Sequence, residues 1–188
     1  MTSKFFLLSL LFGFLLSCSS TNTSYYVLTP AGKAPERQGV GIGIGPIIVA
    51  DYLVERPYLI FQSSPHKMEM SDLHQWSGAM DDNFARVLGV NLGRRKVTGK
   101  IQTYPWDPNN KLDYQVSADI HQFHGTVDGD AILESSWRVY RLPEGNLVSS
   151  RTSSLITPLD SDGYEALVAA QSRLIDMLSA EIVKSLRK

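Results

Sequence analysis

The chain of 188 residues holds a single cysteine, Cys18. Without a second thiol there is no internal disulfide and no cysteine-based zinc site. A charge excess is missing too: 18 basic side chains face 19 acidic ones, and neither sign forms a long run. Nucleic-acid-binding domains carry a strong basic surplus, so that class is set aside. No apolar stretch is long enough to span a bilayer as a stable helix, which takes about 20 residues. Internal repeats are absent, as is any linker that would mark off a second domain. What remains is ordinary: 43% hydrophobic residues, 14 Gly and 9 Pro describe a globular protein, neither disordered nor collagenous. A single domain of roughly 150 residues has enough chain to bury a core.

The N-terminus reads as an address. Met1 to Lys4 is a short, weakly positive head, and Phe5 to Leu16 is apolar apart from Ser9 and Gly13. Its length and flank suit the h-region of a secretory signal. Leu15-Leu16-Ser17-Cys18 then resembles a bacterial lipobox, with a branched apolar residue three before the cysteine and a small one just before it. On that reading the Cys18 thiol is diacylated, the signal is cut before it, and the new amino terminus is acylated, palmitate being a typical chain. Each lipid CH₂ buried in the bilayer contributes about 0.8 kcal/mol, so several chains hold the protein essentially permanently. Ser19 stands where retention at the inner membrane would call for aspartate. By resemblance to enterobacterial lipoproteins, this implies the outer membrane, with the protein on its periplasmic face. The expected division is residues 1–17 signal, 18–24 acylated cysteine and flexible tether, and 25–188 folded domain.

Tyr25 to Leu28 reads as a short strand ended by Pro30, and Ala31 to Gln38 as a loop. From Val40 to Val49, apolar residues alternate with glycine at first, a strand whose bare face lets another backbone or helix approach. Tyr58 to Gln62 is a further strand. Ser71 is taken as the N-cap of a first long helix, with Leu73, Trp76, Met80, Phe84, Val87, Leu88 and Asn91 on one stripe. Asp81 and Asp82 fall off that stripe and read as solvated. Val97 to Tyr104 is expected to be a strand. Alternation from Leu112 to His121, from Ala131 to Val139 and from Leu147 to Ile156, with turns at Asp128-Gly129-Asp130 and Pro143 to Asn146, predicts an antiparallel meander. A second long helix is expected from Asp162 to Arg187, its basic end suiting the helix dipole.

Catalytic signatures are scarce. The run Gly41 to Gly45 has neither phosphate-loop spacing, and Pro46 removes a backbone donor. His121 and His124, three apart on a strand, are expected on opposite faces and cannot share a metal unless a bulge intervenes. No G-x-S-x-G occurs, and acylation would leave no cysteine nucleophile. The expectation is no enzyme, no metal and no cofactor. Asp51 to Pro57 stands out because it packs Tyr52, Leu53, Arg56 and Pro57 into a connection between strands. Arg and Tyr often anchor protein–protein contacts, so these four residues are candidate partner contacts. A loop folding back on the core accounts for them equally well, and Trp106 in Tyr104-Pro105-Trp106 poses the same choice.

Several of these pieces occur together in a fixed order: Cys18, the glycine strand from Val40 to Pro46, Asp51-Tyr52-Leu53, Arg56-Pro57, Trp76, Asn91-Leu92, Tyr104-Pro105-Trp106 and Trp137. In this the chain, from about Tyr25 to Lys188, resembles the ABC-type transport auxiliary lipoproteins, the group containing the paraquat-inducible protein C lipoprotein. Ala50 departs from the pattern, where proline is expected. The resemblance implies a single compact α/β domain with a mixed sheet, packed by the two long helices, and no catalytic residues. It also implies partners: a mammalian-cell-entry (MCE) type periplasmic protein and inner-membrane components of a system that moves lipids across the envelope. The docking role expected from this has Cys18 in the membrane and the Asp51 to Pro57 loop against either the MCE protein or a neighbouring copy in a homo-oligomeric ring. Two rival readings are a periplasmic lipid-binding carrier, holding an acyl chain between helix and sheet, and an envelope hydrolase.

Overall fold

The computed structural model describes residues 22–36 and 39–186. Cys18 and the signal therefore lie outside the described residues. Eight strands form one mixed sheet: β1 (Ser24–Tyr26), β2 (Ile42–Val49), β3 (Tyr58–Ser64), β4 (Lys67–Trp76), β5 (Ile101–Thr103), β6 (Tyr114–Thr126), β7 (Asp130–Arg141) and β8 (Asn146–Pro158). One short helix, α1 (Asp51–Val54), follows β2. Two long helices, α2 (Met80–Lys96) and α3 (Tyr164–Ile182), pack side by side on one face.

Strand β6 organises the sheet. Along one edge it carries β7 and then β8, the antiparallel meander expected from the alternation. Its other edge is shared. The first half pairs in parallel with β2, from Ile42 opposite Tyr114 to Val49 opposite Ile120, and β5 lies beyond β2. Its last residues pair in parallel with β3, Phe61 opposite Gly125, and β4 and β1 continue outward from there. Between those two partners, residues 121–124 of β6 have no strand beside them.

The core lies between sheet and helices. Phe84, Leu88 and Leu92 of α2 and Leu167, Leu174 and Leu178 of α3 are fully buried in one cluster with Ile42, Val116 and Leu133. Phe84 meets Phe123 edge-on, with ring centroids 5.6 Å apart. Trp76 and Trp137 are both buried, as expected. The Trp137 indole N–H donates to Ser153 Oγ at 2.9 Å, and Ser153 in turn donates to Glu181, tying α3 to the meander. Arg94 and Arg95 of α2 reach Asp176 of α3 at 2.7 and 2.8 Å. Bringing α2 close to the sheet needs a bare position: a Cβ on Gly89 would lie 2.9 Å from Ile101.

Several boundaries differ from the sequence reading. Ser71 caps no helix; residues Ser71 to Gln75 belong to β4, and Trp76 is the last residue of that strand. Gly78, at φ +97°, turns the chain, and α2 starts at Met80 with no side-chain cap. The apolar steps continued smoothly across this turn because Trp76 faces the core from a strand. β5 is confined to Ile101–Thr103 because Val97 closes α2 in a left-handed conformation, φ 53°, its N–H turned to the Arg94 and Gly93 carbonyls. A β-branched residue is strained there, by about 1–2 kcal/mol. Val97→Gly should accordingly raise folding stability by roughly 1 kcal/mol, read by urea denaturation. A destabilised variant would show that the valine side chain contributes more than its backbone costs. β6 runs on to Thr126, and α3 gives way to a 3₁₀ turn at Val183–Ser185 rather than continuing to Arg187.

Candidate functional site

The gap on the β6 edge is where the Asp51 to Pro57 segment goes. As β2 ends, the Ala50 N–H donates to Ile120 O at 3.0 Å, and α1 turns the chain into the space before β3 begins. Tyr52 fills it. Its phenol oxygen accepts the Phe123 N–H at 3.0 Å, replacing the carbonyl that a neighbouring strand would have supplied. On the helix side, Gln171 Nε2 donates to Phe123 O at 3.3 Å. Both backbone groups of a buried residue are thus satisfied by side chains from distant elements. Leu53 is buried in the core, and the Tyr52 ring meets His124 edge-on at 6.2 Å. Burial raises the Tyr52 phenol above its ordinary range and holds the His124 imidazole below its own.

Two of the four loop candidates therefore face inward. The other two do not. Arg56 is exposed, its guanidinium 5.9 Å from the Tyr58 ring centroid, and Pro57 is exposed beside it. Together with Val54, 62% exposed, Pro57 edges a cleft of about 380 Å³ that is floored by Leu53, Trp76 and Met80 and flanked by Tyr25. Val54 lies in the loop singled out from the sequence although not among its named contacts, and Tyr25 was missed. Only the pairing of β1 with β4 brings Tyr25 near, so no local pattern could have signalled it.

Trp106 lies elsewhere. It packs on the bare face of β2 at Gly43, where a Cβ would fall 2.8 Å from its ring, which explains the glycine at that position. Tyr104 meets Trp106 edge-on at 5.6 Å. Trp106 also lines a cleft of about 520 Å³ with Pro108, Leu112, Leu142 and Pro143. This is the start of β2, whereas α1 follows its end, so the candidate residues fall into two separate patches.

The histidines correct another expectation. A register shift between Ile120 and Gln122 is the bulge that brings His121 and His124 to one face of the sheet. His121 Nε2 lies 3.0 Å from Ser136 Oγ, and His124 Nε2 lies 3.2 Å from Gln122 Oε1, whose amide donates to Glu134 at 2.9 Å. Among the described residues, no three His, Cys, Asp or Glu side chains converge on a metal-sized site. The His121–Ser136 pair is a serine–histidine contact made by the fold. It sits exposed on the sheet surface, and Asp119 on the same strand is engaged by Arg138 at 3.0 Å.

The sequence model for the ABC-type transport auxiliary lipoprotein component matches residues 26–183. The chain belongs to this family. No curated protein matches the sequence significantly. Among solved structures, one uncharacterised protein is similar at TM-score 0.72 and 20% identity, covering 87% of this chain and 97% of that one. A protein from Xanthomonas campestris, of the DUF330 family, is similar at TM-score 0.62 and 18% identity, covering 85% of this chain and 92% of that one. These likenesses concern the fold. Family membership makes the protein a lipoprotein component auxiliary to ABC-type transport. Among the described residues, no helix of this family member is long and apolar enough to cross a membrane.

Proposed function

We propose that the protein is a non-catalytic docking component of an envelope-spanning lipid transport system. Acylated Cys18 holds it on the periplasmic face of the outer membrane, and the folded domain receives an MCE-type protein whose other end meets inner-membrane components. The observation that carries this reading is membership of the transport auxiliary lipoprotein family by a chain whose only cysteine ends a lipobox-like sequence. The carrier reading has less support, because Phe84, Leu88, Phe123, Leu167 and Leu174 already fill the space between helices and sheet where an acyl chain would lie.

The partner contact assigned to the Asp51 to Pro57 loop contracts to what faces outward: Val54 and Pro57 at the edge of the cleft, and the exposed Arg56 next to Pro57 in the chain. Tyr52 and Leu53 set the position of those three from within. Trp106 and its cleft are a second candidate contact, for the same partner or for a neighbouring copy in a ring. A Val54→Asp, Arg56→Ala double variant should lower recovery of the partner about tenfold, or roughly 1.4 kcal/mol, with an unchanged melting temperature. Wild-type recovery from that variant would take the contact away from this loop.

A further inference from the structure

The topology separates the two ends of the sheet. β1 runs parallel to the last residues of β4, with Ser24 opposite His74, so the chain upstream of β1 comes from the side of the β3–β4 turn at residues 65–66. β3 pairs with the last residues of β6, and the Val127 N–H donates to Gln62 O at 3.2 Å. The β6–β7 turn therefore lies at this same end. At the other end lie the β7–β8 turn and the Trp106 cleft. The thirteen residues of β6 set the two ends roughly 40 Å apart.

Exposed apolar side chains are present at the tether end. In β4 only Trp76 is buried, while Met68 and Met70 are 37% and 46% exposed. Val127 in the adjoining turn is 62% exposed. His66 and Lys67 flank them, both exposed. Cys18 stands six residues before Ser24, so the anchor is at most roughly 20 Å from β1.

We propose that this end of the sheet, through Met68, Met70 and Val127, rests on the lipid surface to which Cys18 is fixed. The inference depends on the acylation reading above. The tether's reach is what selects a membrane as the occupant: it keeps this end beside the bilayer and leaves the Trp106 cleft about 40 Å farther out. Lys67 suits the headgroup zone, where a lysine stem lies in the interface with its charged tip in water. The domain stands on its hairpin and presents the opposite end to whatever arrives from across the periplasm.

Because Cys18 is the only cysteine, and its thiol would be occupied by lipid on the acylation reading, an introduced thiol is a unique labelling site. Met70→Cys, Val127→Cys and Glu144→Cys variants of the acylated protein would each carry one environment-sensitive fluorophore. They would be placed in phosphatidylethanolamine/phosphatidylglycerol vesicles whose acyl chains are brominated. Emission at 70 and 127 should fall by about half or more while 144 is unaffected. Equal quenching at all three sites would mean that the domain lies flat, and quenching at 144 alone or at none would also overturn the orientation. Intact mass separates the two layers of the argument. An acylated protein with silent labels at 70 and 127 defeats only this inference, whereas a chain lacking acyl groups defeats the anchor and the orientation together.

Discussion

Phenylalanine at position 52 should lower folding stability by about 1–3 kcal/mol, although it removes a single oxygen. β6 changes partners between Ile120 and Gly125, and Phe123 falls in the interval with its N–H buried. The Tyr52 hydroxyl accepts that N–H, and no strand stands by to replace it. Leaving the donor unmet costs its full desolvation. Alanine at the same position also removes the packed ring and should cost about 3–5 kcal/mol. The effect has a signature in pH. Burial raises the Tyr52 pKa above the ordinary 10.0, so the folded state holds the phenolic proton more tightly than the unfolded chain does. That contribution is complete below pH 10 and is lost as pH rises from there through the folded value. Tyr52→Phe should lack this part of the alkaline loss. Chemical denaturation across pH measures both effects, and a Tyr52→Phe variant within a few tenths of a kcal/mol of wild type would remove Tyr52 from this structural role.

The second large effect concerns the anchor. Without the thiol at position 18 no thioether-linked lipid can form, and the chain has no other cysteine to take its place. At about 0.8 kcal/mol per buried CH₂, losing several acyl chains moves the protein from permanently bound to free. Cys18→Ser should therefore abolish incorporation of labelled palmitate. With residues 1–17 exchanged for an ordinary cleavable leader, the same variant should appear in the soluble periplasmic fraction. Fractionation and intact mass read the outcome directly. Acyl incorporation that survives Cys18→Ser would refute the lipobox reading.

What could be read from the residues alone follows the range of the interactions. Alternation from Tyr114 through Ile156 predicts the meander because each side chain in β6, β7 and β8 chooses a face locally. The stripe Leu167, Leu174, Leu178 and Ile182 marks α3 for the same reason. Ser71 misleads because Trp76 and Met80 keep helical spacing while one closes a strand and the other opens a helix, with Gly78 turning between them. Tyr52 could be singled out but its role could not, since that role comes from the divergence of β2 and β3 along β6, partners far apart in sequence. The bulge that brings His121 and His124 to one face is likewise set by pairing with β7. Gly43 made a close approach legible, but only the fold shows that Trp106 makes it.

The docking role is tested most directly by isolating the acylated protein from native envelopes in a gentle detergent. Its co-purifying proteins and lipids would then be identified by mass spectrometry. The account predicts an MCE-type protein in stable association, and no stoichiometric lipid on the isolated soluble domain. Recovery of the protein alone, carrying one lipid per chain, would contradict docking and make the domain a carrier.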